Sequence, residues 1–343
     1  MTLRDQPIRV GIIGLGYWGP KLARNFASLE TANLVIAADL SAGRLEEFAK
    51  LFPQVETTQN AADLLGDNVD AVVIATPVHA HYQLAKEALL AGKHVMVEKP
   101  IARTSFQAKD LVDLAAERGL KLMVGHTFEY NPAVGAVRQI IQSGELGRIY
   151  YVNSTRVNLG LLQPDINVMW DLAPHDLSIL CYILSEEPQK VSALGATFVN
   201  QESNLQEVVY INLRFPDGIL ANLRVSWLDP VKQRSITVVG NKKMLVYDDI
   251  AEDKVVIFDK GVEIPAHSVT VEEFRASYRH GEETVCPIQW VEPLRAECQH
   301  FVDCIRNDCT PRSDGLDGLK VVKILETAQR SLENEGVELR IEY

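Results

Sequence analysis

The sequence predicts an α/β chain in two parts: a doubly wound parallel sheet first, then an α+β region whose strands are mainly antiparallel. Three observations carry this. Continuous apolar runs of strand length, such as Ala71-Val72-Val73-Ile74, alternate with helical patterns as far as Gly125, as parallel strands buried on both faces do. A glycine-rich turn, Gly14-Leu15-Gly16-Tyr17-Trp18-Gly19, joins the first such run to a helix. Later, short strand candidates follow one another across turn signals such as Pro216-Asp217-Gly218 and Gly240-Asn241, and short connections favour antiparallel pairing.

Taken in order, Arg9 to Ile13 forms the first strand, and Pro20 marks a helix start because the amide it lacks would have had no intrahelical partner. A second strand runs from Asn33 to Asp39, and Ser41 caps a helix through Leu45 to Leu51. A short strand near Val55-Glu56-Thr57 and a helix around Ala61 to Leu65 precede the strand Ala71 to Thr76, which Pro77 ends. Helices from about His79 to Ala91 and Ser105 to Arg118 lead to strands His94 to Lys99 and Leu120 to Gly125. The parallel sheet is expected to end there, giving domains 1–125 and 126–343. In the second domain a helix at Pro132 to Gln142, a strand at Ile149 to Val157 and a helix from about Asp171 to Leu184 come first. Strand candidates follow at Val191 to Leu194, Glu207 to Phe215, Ile219 to Trp227, Ser235 to Val239, Lys243 to Tyr247 and Lys254 to Phe258. Helices at about Pro293 to Asn307 and Gly315 to Asn334 close the chain.

A chain of 343 residues with 47% hydrophobic side chains supports a packed core in each of two domains. Its formal charge of −12 argues against a nucleic-acid backbone or an anionic membrane as partner. The sequence shows no secretory leader pattern and no membrane-length apolar run, so a cytoplasmic protein is expected. The five cysteines, Cys181, Cys286, Cys298, Cys304 and Cys309, contain no C-x-x-C pair and read as reduced thiols. Cys298, Phe301, Val302 and Ile305 follow a helical apolar stripe, so no metal site is expected at Cys298, His300, Cys304 and Cys309.

The glycine turn has the context of a Rossmann dinucleotide site: it follows a strand, opens a helix, and is followed after twenty residues by Asp39 at the end of the second strand. Gly14 serves the tight turn, Gly16 the close approach of backbone to pyrophosphate, and Gly19 the packing of helix on sheet. Asp39 would accept the adenosine ribose hydroxyls and repel a 2′-phosphate, which selects NAD over NADP; Arg44, one helical turn on, softens that exclusion. Tyr17 and Trp18 stand against the pyrophosphate, or reach the active-site cleft, or are helix-start aromatics covering the sheet.

Glu98-Lys99-Pro100 falls at the carboxyl end of a parallel strand, where the nicotinamide half of the cofactor is expected. Oxidised nicotinamide is cationic and would push a nearby ammonium toward its neutral form, which suits acid/base work. Asp171 and His175 are four apart and share a helix face. With Asp171 as helix cap, Pro174 would fall in the first turn, where no i−4 partner exists.

These motifs resemble the Gfo/Idh/MocA family of NAD(P)-dependent sugar and cyclitol oxidoreductases over essentially the whole chain. The ordered matches are Gly14-x-Gly16-x-x-Gly19, Thr76-Pro77 followed by His81, Ala91-Gly92-Lys93-His94-Val95 leading into Glu98-Lys99-Pro100, and Asp171-x-x-x-His175. The resemblance implies that Lys99, Asp171 and His175 are the catalytic and substrate-orienting groups, that Thr76, Pro77 and His81 border the cofactor, and that Glu98 contacts the nicotinamide ribose. It also implies a cis bond before Pro100, a large mixed or mainly antiparallel sheet, and homodimers or homotetramers built through that sheet. Gly125-His126-Thr127-Phe128-Glu129-Tyr130-Asn131-Pro132, Asn158-Leu159-Gly160 and Asn167 to Asp176 look like the branch that oxidises nucleotide-linked amino sugars at the 3-hydroxyl. UDP-N-acetylglucosamine and its uronic acid are the implied substrates, with Tyr130, Arg156, Asn158 and Asn167 joining Lys99, Asp171 and His175 as substrate contacts. A guanidinium and two amides suit a diphosphate, carboxylate or acetamido group.

In the expected reaction a C3 hydride passes to NAD while His175 or Lys99 accepts the hydroxyl proton and the other holds the oxygen. A free-sugar or inositol dehydrogenase and a ketosugar reductase are the neighbouring readings. A cofactor-binding regulator is the reading from another class, and the joint presence of Lys99, Asp171 and His175 argues against it.

Overall fold

The computed structural model describes residues 6–263 and 277–343. Strands and helices alternate first: β1 (Ile8–Ile13), α1 (Gly19–Ala27), β2 (Ala32–Ala38), α2 (Ala42–Leu51), β3 (Glu56–Thr58), β4 (Ala71–Ile74), α3 (Val78–Leu90), β5 (His94–Glu98), α4 (Ser105–Arg118) and β6 (Leu122–Gly125). Residues Ala61–Leu65 form a 3-10 turn rather than an α-helix, with the Asn60 side chain accepting from the Ala62 amide. The strands make one parallel sheet in the order β3-β2-β1-β4-β5-β6. Every residue of β4 and β6 is buried, as the apolar runs require when helices cover both faces. The chain departs in opposite senses from neighbouring β1 and β4, and the carboxyl ends of these two strands form the crevice where such sheets bind ligands.

The following elements are α5 (Pro132–Gln142), β7 (Ile149–Leu159), α6 (Val168–Leu184), β8 (Lys190–Ala196), β9 (Val208–Arg214), β10 (Leu220–Ser226), β11 (Leu228–Gly240), β12 (Met244–Asp248), β13 (Val255–Glu263) and β14 (Ser277–Val285). Helices α7 (Pro293–Asn307) and α8 (Gly315–Glu333) and the short β15 (Leu339–Arg340) complete the chain. The second sheet has the order β14-β13-β12-β11-β7-β10-β9-β8-β15. It is mixed: β7 and β10 run parallel, and the other neighbours are antiparallel. Helix α6 packs over β7, β9 and β10 with α5 beside it, while Tyr151, Leu194, Tyr210 and Leu220 stand exposed on the sheet.

Two compact units divide the chain, and the boundary differs from the expected break after Gly125. The first runs to Tyr130 and takes back Val291–Lys323; the second comprises Asn131–Trp290 and Ile324–Tyr343. The physical reason is the apolar stripe of α7: Cys298, Phe301 and Val302 are fully buried in the core built on β1 and α1, with the Phe301 ring 6.5 Å from that of Phe26 at nearly a right angle. Among the described residues, no helix is long and apolar enough to cross a membrane.

Candidate active site

In the first unit the turn after β1 is shaped for a dinucleotide. Gly14 adopts φ +97°, and a Cβ there would lie 2.6 Å from the Ala75 carbonyl oxygen. Gly19 is held equally tightly, 2.0 Å from the Gly14 oxygen by the same measure, whereas a Cβ on Gly16 would meet nothing within 4 Å. The fold thus requires two of the three glycines, and the third leaves open space. Helix α1 begins there with no side-chain cap; Pro20 has no amide and the Lys21 amide donates to the Trp18 carbonyl at 3.0 Å, which leaves the Gly19 amide for an anion. Asp39 accepts from the Leu15 amide at 2.7 Å and the Ser41 amide at 2.8 Å, with Arg44 at 3.6 Å. Two occupied lone pairs leave the carboxylate capacity for ribose hydroxyls. These features fit NAD.

Tyr17 is 74% exposed, with the Lys21 ammonium 3.3 Å from its ring centroid and 4.8 Å from that of Trp18. The pair therefore does not cover the sheet; it holds a cation over the start of α1.

The carboxyl ends of β5 and β6 carry the charged groups. Lys99 is half-buried and joined to Pro100 by a cis bond, as the resemblance implied. Glu98 is buried beneath it, its Oε2 accepting from the Lys99 amide at 3.3 Å, and burial pushes its carboxyl up to about 7 against the opposing pull of Lys99. Glu297 of α7 is fully buried nearby and accepts from the Thr127 hydroxyl at 2.8 Å. Burial first, and Glu98 next, hold it well above the usual carboxylate range. His126, directly after β6, is 1% exposed; burial and the Lys99 charge lower it to about 3, so its ring is neutral.

His81 is placed differently from expectation. It is 1% exposed, with Nδ1 2.8 Å from the Pro100 oxygen and Nε2 2.8 Å from the Thr76 oxygen. A ring enclosed by two backbone carbonyls has no free edge to border a cofactor. Thr76 and Pro77 form the turn from β4 into α3, Pro77 standing at the N-cap. Tyr130, expected at the substrate, is likewise buried, its hydroxyl 3.1 Å from Ser313 Oγ.

In the second unit α6 starts earlier than expected. Asn167 is its N-cap, accepting from the Trp170 amide at 3.1 Å and donating at 3.0 Å to Gln206 and Gln329. Asp171 is therefore inside the helix, and Pro174 is an interior proline, unable to donate to the carbonyl one turn back. Asp171 and His175 are both half-buried on a helix whose other positions from Ala173 to Leu180 are buried. Trp227, 2% exposed, donates its indole N–H to Asp171 Oδ2 at 3.1 Å.

Arg156 lies behind this face, 4% exposed, and pairs with Asp176, which also accepts from Ser154 Oγ at 2.8 Å. The guanidinium is spent inside the protein, so the expected grip on a ligand anion gives way to an ion pair anchoring the residue after His175. Asn167 is likewise consumed in capping, whereas Asn158 stays half-buried at the end of β7. Sequence reasoning missed Trp227, Glu297 and Ser313, which reach the site residues only through tertiary packing. Among the described residues, no group of three or more His, Cys, Asp or Glu side chains could hold a metal ion.

Comparison with known proteins accords with this geometry. Residues 8–126 match the family model described as oxidoreductase family, NAD-binding Rossmann fold, and residues 134–246 match the GFO/IDH/MocA C-terminal domain. The chain is 32% identical over 227 residues to a UDP-N-acetylglucosamine 3-dehydrogenase of Acidithiobacillus ferrooxidans, covering 64% of this chain and 67% of that protein. It is 26% identical over 344 residues to a scyllo-inositol 2-dehydrogenase (NAD(+)) of Bacillus subtilis, covering 96% and 95%. A levoglucosan dehydrogenase solved with NADH and levoglucosan shares the fold at TM-score 0.84 and 20% identity, covering 98% of this chain and all of that one.

Proposed function

The chain belongs to the Gfo/Idh/MocA family of NAD-dependent oxidoreductases acting on sugar alcohols, and from that premise we propose that its reaction is oxidation of the C3 hydroxyl of a nucleotide-linked sugar. UDP-N-acetylglucosamine or its uronic acid would give the 3-keto sugar and NADH. The observation that carries the chemistry is the pairing of Asp171 and His175 one turn apart on the half-buried face of α6, with Asp171 tied to Trp227. The substrate choice is supported by the runs Gly125 to Pro132 and Asn167 to Asp176 and by the relative named for that sugar.

Bound NAD supplies the hydride acceptor. His175 takes the hydroxyl proton on a ring nitrogen, and Asp171 orients the imidazole and stabilises the imidazolium formed. The Lys99 ammonium donates an N–H to the oxygen as it passes from hydroxyl to ketone. The exchanged assignment, with Lys99 as base and His175 as donor, uses the same groups. An inositol is the second reading, favoured by the near full-length match to the scyllo-inositol enzyme. The exposed Tyr151, Leu194, Tyr210 and Leu220 support a homodimer or homotetramer built on the second sheet, which sedimentation would test. Substrate deuterated at C3 tests the position of attack: deuterium in the NADH supports C3, and its retention in the sugar product overturns it.

A further inference from the structure

His81 is four residues past the N-cap of α3, and its ring joins two segments that follow different strands. One contact is the carbonyl of Thr76, after β4; the other is the carbonyl of Pro100, directly beyond Lys99 and its cis bond. Both distances are 2.8 Å and the side chain is 1% exposed. Backbone carbonyls are acceptors only, so a neutral ring grips one of them and a doubly protonated ring grips both. In either form the buried imidazole fixes the separation of the two segments, because it fills the space between them.

We propose that His81 is a positioning residue for Lys99, a clasp that sets the Lys99–Pro100 segment against the Thr76–Pro77 turn. Lys99 leaves the strand at Glu98, whose carboxyl receives the Lys99 amide at 3.3 Å. That bond fixes the backbone before the lysine, and His81 fixes it after. With both sides held, the point from which the lysine stem leaves the backbone is set. No other side chain in the described hydrogen bonds reaches the Pro100 carbonyl. Burial lowers the His81 pKa and favours the neutral ring with one N–H, so leucine at position 81 would fill much of the same volume and leave the carbonyl that receives this N–H without its donor, freeing the segment to move.

The catalytic consequence rests on the reading of Lys99 given above, so the test also includes a measurement independent of turnover. Reductive methylation with 13C-formaldehyde labels the lysine ammonium groups, and Lys99→Arg assigns the Lys99 resonance. In the His81→Leu protein the Lys99 resonance is expected to shift or broaden and its titration midpoint to move. Turnover should fall by about tenfold to hundredfold, as misplacement on the order of 1 Å does, with a much smaller change in NADH affinity read by fluorescence. His81→Gln, which keeps one donor, should recover part of both effects and supplies the readout where the leucine protein does not fold. An unchanged Lys99 resonance and titration in either folded variant, with only a lower Tm, would make His81 purely structural and overturn the proposal. Full turnover in Lys99→Met would instead remove the catalytic reading while the resonance still reports on the clasp.

Discussion

The indole N–H of Trp227 donates to Asp171 Oδ2 at 3.1 Å, linking the residue after β10 to the helix that carries His175. Trp227 is 2% exposed, and its own amide donates to the Glu207 carbonyl at 3.0 Å, so the donor is held from behind. Trp227→Phe keeps most of the packing and removes the donor. A hydrogen bond to a charged group contributes about 1.5–3 kcal/mol, and turnover is expected to fall about tenfold or more with little change in NAD affinity. Steady-state kinetics beside NADH fluorescence would show it; equal turnover in both proteins would free Asp171 from this dependence.

Lys99→Met is expected to bind NAD normally and to lose hydride transfer by about 10²–10⁴-fold, the usual contribution of a positioned acid/base group. Single-turnover NADH formation checks it. Near-normal rates would remove Lys99 from the chemistry.

The contrast between the glycines gives a prediction independent of substrate. Gly16→Val should leave stability within about 0.5 kcal/mol, as changes away from packed features do, because a Cβ there meets nothing within 4 Å. NAD affinity should nevertheless drop steeply. Gly19→Ala should lower Tm outright, since its Cβ would stand 2.0 Å from the Gly14 oxygen. Thermal melts with and without NAD separate the two.

Asp39→Ser removes the carboxylate that would repel a 2′-phosphate and leaves Arg44, now 3.6 Å from that carboxylate, available to attract one. The ratio of kcat/KM for NAD over NADP should move toward NADP by about tenfold or more, the equivalent of one charge-assisted hydrogen bond. An unchanged ratio would place selectivity elsewhere.

Glu98 supplies a pH dependence. Its folded carboxyl titrates near 7 instead of the usual 4.5 because it is buried. Over that interval the folded state holds a proton that the unfolded state has released, so this group's stabilising contribution is complete below the unfolded value and is lost as pH rises toward 7. At about 1.4 kcal/mol per unit the loss is about 3 kcal/mol. Urea unfolding at pH 5 and pH 8 should show a correspondingly smaller decline for Glu98→Gln than for the natural chain; equal declines would contradict the burial argument.

Much of the cofactor half was legible because its signals are local. The glycine turn, Pro20, the Ser41 cap and the apolar strands each act within a few residues, and the Rossmann sheet follows from their alternation. The Ser41 side chain does accept from the Arg44 amide. What was not legible depends on long-range packing. Arg156 meets Asp176 across twenty residues and Trp227 meets Asp171 across fifty-six, and neither spacing carries a period. The return of α7 to the first core turned the expected boundary after Gly125 into a division at Tyr130 with Val291–Lys323 added back. Strand β14 escaped notice because its residues are almost all exposed and polar, so no hydrophobic alternation marks it. Asn167 displaced Asp171 as helix cap, and an interior proline was accepted because tertiary burial of α6 outweighs its local cost.

Oxidation of a nucleotide-linked sugar with NAD is tested by following NADH formation across UDP-amino sugars, UDP-uronic acids, free sugars and inositols. Hydroxylamine traps the ketone, because alcohol oxidation by NAD can stall at an unfavourable equilibrium. A trapped 3-keto product is expected only from a UDP-N-acetyl sugar or its uronic acid, and none with Lys99→Met. Product formed only from an inositol or a free sugar would contradict it and move the chain to the cyclitol reading.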